Sequence, residues 1–377
     1  MQSTDVNNQA MKVLMTTDAV GGVWSYALEL ARALEPFDIE VALATMGAVL
    51  NRAQRAQIKS HPNVTVFESS YRLEWMPDAW KDVQQAGAWL LEIAADIHPD
   101  VVHLNGYTHG ALPWPAPVLI MAHSCVLSWW QAVHDKPAPL AWASYRQHVA
   151  RGLHASNLVV APTHVMLAAL EQQYGALPLT RVIPNACDPK AYTPARKEPL
   201  VLTAGRLWDE AKNVQALVRA AAYLPWPVIV AGDTQHPFGE TVAFSDVQAL
   251  GRLSPEALAG WYARAAIYAL PARYEPFGLS ALEAALCGCA LVLGDIPSLR
   301  EVWADTSVFV PPDDHRALRV ALEQLIESDV LRARYAAKAR ARALQFAPQR
   351  MGAAYHAVYR ELAAAWGDDA QHLAARA

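Results

Sequence analysis

Short apolar runs alternate with segments whose apolar residues recur every three or four positions, and the alternation continues from Met11 to Trp366. Runs at residues 11–17, 39–44, 64–67, 101–104, 118–123, 158–161 and 181–184 read as buried strands. Helical spacing fills several of the gaps. Val23, Tyr26, Ala27, Leu30 and Leu34 share one helix face. Residues 50–60, 78–97 and 163–174 also read as helices, the last with Thr163 placed as its N-cap. Residues 129–142, rich in tryptophan, show no clear period. The second half opens with a strand at 199–204, followed by strands at 227–231, 246–250, 266–271, 290–293 and 308–310. Helices are predicted from Lys212-Asn213, from Ser254 with Pro255 at the first position, and from Leu279, whose face continues through Leu282 and Leu286. Further helices are expected at 298–303, 314–328, 330–344 and 349–366, with a loose tail beyond.

Strand–helix alternation of this regularity predicts an α/β fold with parallel sheets. Segment 189–199 carries three prolines and several charges, which marks a linker. The expected architecture is two tandem Rossmann-like, doubly wound domains, residues 1–189 and 190–348, with a cleft between them. A length of 377 residues and a hydrophobic fraction of 53% suit two cores. A net charge of −5 and a pI near 6.2 speak against a nucleic-acid partner. Among the cysteines, Cys125, Cys187, Cys287 and Cys289, only the last two lie close together, so free thiols in a reducing cytoplasm are expected rather than a zinc site. The first ten residues are polar and read as disordered, and no charged-then-apolar leader opens the sequence. No apolar run reaches the roughly 18 residues of a membrane span. The expectation is a cytoplasmic protein with at most peripheral contact at the inner membrane face. Arg52, Arg55 and Lys59 fall on one predicted helix face. Such a face suits weak contact with anionic lipid, although the alanine-rich opposite side makes a solvated surface the simpler use. Oligomeric state is not legible.

Candidate chemistry gathers at strand ends, where ligands lie in open α/β sheets. Gly205-Arg206 follows one strand, with Lys212 six residues after the arginine, and Gly232-Asp233 follows the next. After the 266–271 strand comes Arg273-Tyr-Glu-Pro-Phe-Gly-Leu-Ser-Ala-Leu-Glu283. Glu275 precedes the predicted helix and Glu283 lies about a turn and a half into it. A strand–turn–helix junction presents free N–H groups and a positive dipole end, which suit an anion. Carboxylates repel an anion but bind hydroxyls. Cations for a diphosphate beside carboxylates for ribose and sugar hydroxyls fit a sugar nucleotide. Taken alone, the two glutamates also suit solvated helix-start charges. In the first half, Gly21-Gly22 follows the first strand, where the backbone can approach a ligand or simply pack. His123 ends the 118–123 strand, placed for chemistry or as a structural cap. Trp129, Trp130, His134 and Trp142 suit stacking on a sugar acceptor or packing between domains.

This set resembles the retaining GT-B glycosyltransferases of family 4, the glycosyl transferases group 1. The motifs that carry the resemblance are Gly205-Arg206 with Lys212, and Glu275 with Glu283 in the spacing Glu-x7-Glu. Gly21-Gly22, His123 and Pro184-Asn-Ala-Cys-Asp188 join them, the last with Ala and Cys where the family carries Gly and Val. The likeness runs from Met11 to Trp366. It implies transfer of a sugar, with retention, from a nucleotide-diphosphate donor, a UDP- or GDP-sugar. The acceptor is then a hydroxyl of a glycan, glycolipid or small molecule, and no metal or other cofactor takes part. By the same resemblance Arg206 and Lys212 bind the diphosphate, Glu283 binds the ribose, and Glu275 lies near the donor sugar. The backbone of Phe277, Gly278, Leu279 and Ser280 contacts sugar or phosphate, and Arg252 and Leu253 border the base. Gly21 and Gly22 close over the phosphates, and His123 lies by the reacting carbon. Residues 349–377 are expected to return to the first domain as a helix. Asp313-Asp314 reads as a helix cap rather than a metal site. The alternatives are an epimerase of the same fold acting on the sugar nucleotide, and a catalytically silent relative serving as a partner protein.

Overall fold

The computed structural model describes residues 10–235, 239, 241 and 243–374. The polar residues 1–9, expected to be disordered, lie outside that range. In the first half, seven strands form one parallel sheet: β1 (Met11–Asp18), β2 (Ile39–Met46), β3 (Val64–Glu68), β4 (Val101–Leu104), β5 (Val118–Met121), β6 (Leu158–Ala161) and β7 (Thr180–Val182). Their order is β3-β2-β1-β4-β5-β6-β7. Helices cover both faces: α1 (Gly22–Leu34), α2 (Arg52–Ile58), α3 (Trp80–Ile97), α4 (Val126–His134), α5 (Ala143–Ala155) and α6 (His164–Tyr174). Every residue of β4, β5 and β6 is buried, as a sheet covered on both faces demands.

The second half repeats the plan with β8 (Glu198–Ala204), β9 (Val228–Ala231), β10 (Gln248–Ala249), β11 (Ala265–Leu270), β12 (Ala290–Gly294) and β13 (Val308–Val310), in the order β10-β9-β8-β11-β12-β13. Its helices are α7 (Val214–Ala221), α8 (Pro255–Arg264), α9 (Leu279–Leu286), α10 (Pro297–Trp303), α11 (His315–Glu327) and α12 (Asp329–Ala343). Both orders reverse beside the first strand, between β1 and β4 and between β8 and β11. Connections on the two sides of such a point leave in opposite directions and open a crevice at the strand ends.

α13 (Pro348–Ala374) runs past the end expected near residue 366 and packs against α1. The Tyr26 and Tyr355 hydroxyls lie 2.6 Å apart, and His103 Nδ1 lies 2.6 Å from the Tyr359 hydroxyl. The last helix is thus keyed into the first sheet's core.

Several elements differ from the sequence expectation. α4 overlaps the region that shows no period, because it turns tryptophans toward a cavity rather than a continuous core, and α5 follows that region where no element was expected. No helix opens at Lys212. Glu210–Lys212 is a 3-10 turn capped by Asp209, Asn213 sits in the left-handed region at φ 53°, and α7 starts at Val214. The 246–250 strand shrinks to Gln248–Ala249. Segment 189–199 is fastened down, since Lys197 Nζ donates to the carbonyls of Tyr262, Ala263 and Cys287 at 3.2, 2.9 and 2.7 Å. On α2, Arg55 is paired with Glu68 at 2.6 Å, which takes one charge from the basic face. The expected caps Thr163, Ser254 and Asp314 all accept from their helix N-termini. All four cysteines are free and buried, and no helix of the described residues is long and apolar enough to cross a membrane.

Candidate active site

The second-domain rim begins where β8 and β9 end. A Cβ on Gly232 would lie 1.8 Å from the Gly205 carbonyl oxygen, and both glycines have positive φ, 138° and 149°. Two strand ends therefore meet closely, and the chain leaving β8 is thrown outward as Arg206. Arg206 Nη2 donates to Asp209 Oδ2 at 2.9 Å. Asp209 is buried, and its other oxygen accepts from Ala211 N–H at 3.0 Å and from the Trp129 indole N–H of the first domain at 3.0 Å. One carboxylate thus aims the arginine, caps the turn carrying Lys212 and ties the two domains together.

That turn brings Lys212 Nζ to within 2.5 Å of Glu275 Oε2, in a pair only 16% and 12% exposed. Glu275 Oε1 accepts from Gly278 N–H at 3.0 Å. Gly278, at φ 90°, is the N-cap of α9, and no side chain caps that helix. Its first turn also lacks acidic residues, which leaves the positive helix end turned to the rim. The Phe277 ring is buried against Phe346 at 5.4 Å, so only its backbone borders the rim. Leu279 begins α9, and Ser280 Oγ accepts from the Tyr268 hydroxyl at 2.7 Å. Glu283 lies inside α9, not at a strand end, near the hydroxyls of Tyr192 and Tyr262. Burial pushes its carboxyl up to about 7, against the opposing pull of the two hydroxyls. Arg252 is exposed, and Leu253 packs on the edge of the second core.

The first-domain rim is built at the ends of β1, β4 and β5. Asp18 Oδ1 accepts from the N–H groups of Val20 and Gly21 at 3.1 and 2.8 Å, which fixes the turn into α1. Burial raises the Asp18 carboxyl, against the pull of the Gly21 and Val20 N–H groups and, more weakly, of Arg206 from the other domain. A Cβ on Gly22 would meet nothing within 4 Å, so the residue borders open space. His123 Nε2 lies 2.7 Å from Asn105 Oδ1, and the Asn105 amide nitrogen donates to the Thr16 carbonyl at 2.6 Å. That second bond orients the amide and assigns the proton to Nε2, which leaves the Nδ1 lone pair of a neutral ring. Burial holds His123 down at about 3, and its ring meets Tyr26 edge-on at 4.5 Å.

A cavity of about 400 Å³ joins the domains, with Asp18, Asn105, His123, Trp129 and Arg206 on its wall. His123 and Arg206 therefore face one space. Lys212 and Glu275 are joined to each other, and they, like Glu283, Arg252 and Leu253, are not part of that wall. The turn between Arg273 and Gly278 also grips the first domain. The Tyr274 hydroxyl lies 2.9 Å from Ser128 Oγ and accepts from Cys125 N–H at 3.2 Å. Thr163 Oγ1 donates to the Pro276 carbonyl at 3.1 Å. Asp209, Asn105, Tyr274 and Tyr192 escape sequence reasoning because each acts on a distant partner; Trp129 and Asp209 are 80 positions apart.

Two doubly wound sheets facing one another across a cleft, with cations on one rim and a histidine on the other, define a GT-B glycosyltransferase architecture. Sucrose-phosphate synthase from Thermosynechococcus elongatus superposes with a TM-score of 0.79 at 20% identity, over 94% of this chain and 100% of that one. HepE of Anabaena, solved with UDP-glucose, gives 0.74 at 20% identity, over 93% and 100%. The family model described as Glycosyl transferases group 1 matches residues 187–342, and that described as Glycosyltransferase Family 4 matches residues 20–191. The chain belongs to the glycosyl transferases group 1. A D-inositol 3-phosphate glycosyltransferase of Xylanimonas cellulosilytica is 29% identical over 91% of this chain and 92% of its own length. An O-antigen chain mannosyltransferase B of Escherichia coli is 31% identical over 36% of this chain and 39% of its own length.

Proposed function

We propose that this glycosyltransferase moves a sugar from a UDP- or GDP-sugar to an acceptor hydroxyl with retention at the anomeric carbon. The observation that carries the proposal is Arg206 facing a neutral His123 across one cavity, with Lys212 and the uncapped α9 N-terminus on the same domain as Arg206. Arg206 and Lys212 neutralise the diphosphate without need of a metal. Lys212 then exchanges its partner Glu275 for a phosphate oxygen, which turns the Glu275 carboxylate toward the sugar hydroxyls. Glu283 receives the ribose hydroxyls, and the base lies along Arg252 and Leu253. HepE, solved with UDP-glucose, supports a nucleotide-sugar donor by its likeness in fold.

As the bond from the anomeric carbon to the phosphate oxygen breaks, its electron pair and negative charge pass to the nucleoside diphosphate. The acceptor oxygen bonds to the same face of the carbon, and its proton passes to the departing phosphate oxygen. His123, unprotonated, faces the cationic sugar with a lone pair or accepts from a sugar hydroxyl; it cannot serve as the acid.

A thermal-shift screen across UDP-, GDP- and ADP-sugars tests the donor side, because a ligand bound only by the folded chain raises its melting temperature. A UDP- or GDP-sugar is expected to raise it, and no response to any of the three classes contradicts the proposal. Incubation with the donor alone separates an epimerase, which would convert the sugar nucleotide without an acceptor. Activity is expected to survive EDTA.

A further inference from the structure

The carboxylates on the cavity wall are those of Asp18, Glu74 and Asp209, the guanidiniums those of Arg72 and Arg206, and the histidines His109 and His123. Carboxylates outnumber guanidiniums, and all of them already have partners. Glu74 accepts from the backbone N–H groups of Tyr107 and Thr108 at 3.1 and 2.8 Å. Arg72 donates to the Pro77 carbonyl at 3.1 Å. Arg206 is held by Asp209 and, at work, by the donor diphosphate. Burial lowers both histidines, so neither adds positive charge.

Aromatic rings make up much of the remaining wall: Trp75, Trp129, Trp130, Trp142 and Tyr145 from the first domain and Trp208 from the second. Leu140, two residues before Trp142, is 91% exposed, so apolar character continues onto the adjoining surface. A phosphorylated acceptor entering here loses its hydration and meets three carboxylates against one guanidinium, Arg72, that is engaged only by a neutral carbonyl, so its charge is compensated in part. A ring with an apolar face gains instead from tryptophan stacking and from leaving water.

Resting on the transferase reading above, we propose that the acceptor is an uncharged molecule with an apolar ring face and a nucleophilic hydroxyl. It is not a phosphorylated polyol of the kind named for the relatives. A neutral sugar and an aromatic alcohol share that chemistry.

The tryptophans supply a readout that needs no turnover. The full chain, saturated with UDP, is titrated with methyl glucoside, methyl mannoside, 2-phenylethanol and D-inositol 3-phosphate while tryptophan fluorescence is followed. At least one neutral compound is expected to change the fluorescence and to bind at least tenfold more tightly than D-inositol 3-phosphate. A sugar response names a glycan-type acceptor, and a phenylethanol response an aromatic one. Trp142→Ala is expected to weaken that binding at least tenfold, with the UDP Kd within twofold of the parent by calorimetry. Trp142→Phe, which keeps a ring, is expected to retain most of it. Tighter binding of D-inositol 3-phosphate, no response to any neutral compound, or an unchanged affinity in Trp142→Ala overturns the inference. If a UDP- or GDP-sugar is cleaved but D-inositol 3-phosphate is the better acceptor, this inference alone fails. If no nucleotide sugar binds or is cleaved, the transferase reading fails with it.

Discussion

Glu275 has both carboxylate oxygens occupied, one by Lys212 and one by the Gly278 N–H. It is therefore a placed group rather than a solvated helix-start charge, and its low exposure fits that. The spacing of the two glutamates and the Arg206–Lys212 interval were legible in sequence because each lies within one short segment. Asp209, which positions Arg206, was not, since its partners come from two domains. Arg206→Ala is expected to lower kcat roughly 10²-fold with the fold intact, because the cation acts where leaving-group charge develops. His123→Ala is expected to keep nucleotide affinity by calorimetry and lose turnover; normal turnover returns the histidine to a structural role. Glu283 carries a pH dependence of its own. Its folded carboxyl sits at about 7 against an ordinary 4.5, so folding favours the neutral form. The stability that goes with the raised value is present below the ordinary value and is lost as pH rises through about 7. Ribose hydroxyls donate better to the ionised form, so nucleotide affinity is expected to rise from about pH 6 to about pH 8 while apo stability falls between about pH 5 and 7. Glu283→Gln is expected to flatten both curves. A flat affinity profile in the parent protein, read by calorimetry, counts against the assignment of Glu283 to the ribose.

Among elements, the turn before α9 does two jobs. It carries the donor-side groups, and it reaches into the first domain through Tyr274 and Pro276. A second clasp lies beside it. Glu301 on α10 accepts from the His164 and Val165 N–H groups at 2.8 and 3.0 Å, so a side chain of one domain caps a helix of the other. Thr163, the N-cap found in sequence, supplies only part of that helix end. Glu301→Ala is expected to cost about 1 kcal/mol, the usual scale for a lost cap, read as a lower urea midpoint. An unchanged midpoint means the clasp carries no stability. The strands and long helices were legible because their burial follows a period. α4 was not, because tryptophans facing a cavity break the pattern that a core would impose. The 3-10 turn at Lys212 was also hidden, since its shape follows from Asp209 and the left-handed Asn213 rather than from apolar spacing.

For the whole molecule, two sheets that share one strand order, the first extended by β7, present their switch points across one cleft, and the last helix returns to pack on α1. The tandem plan was legible because each half repeats the same alternation of strand and helix. The character of the cleft wall was legible only through Trp129, Trp130 and Trp142; its carboxylates come from segments scattered between residues 18 and 209. The most direct test of the central claim is proton NMR of the product formed from an α-linked UDP- or GDP-sugar and a neutral acceptor. An α-glycoside appearing only when acceptor is present is the predicted result. A β-glycoside, or an altered donor sugar with no acceptor added, contradicts it.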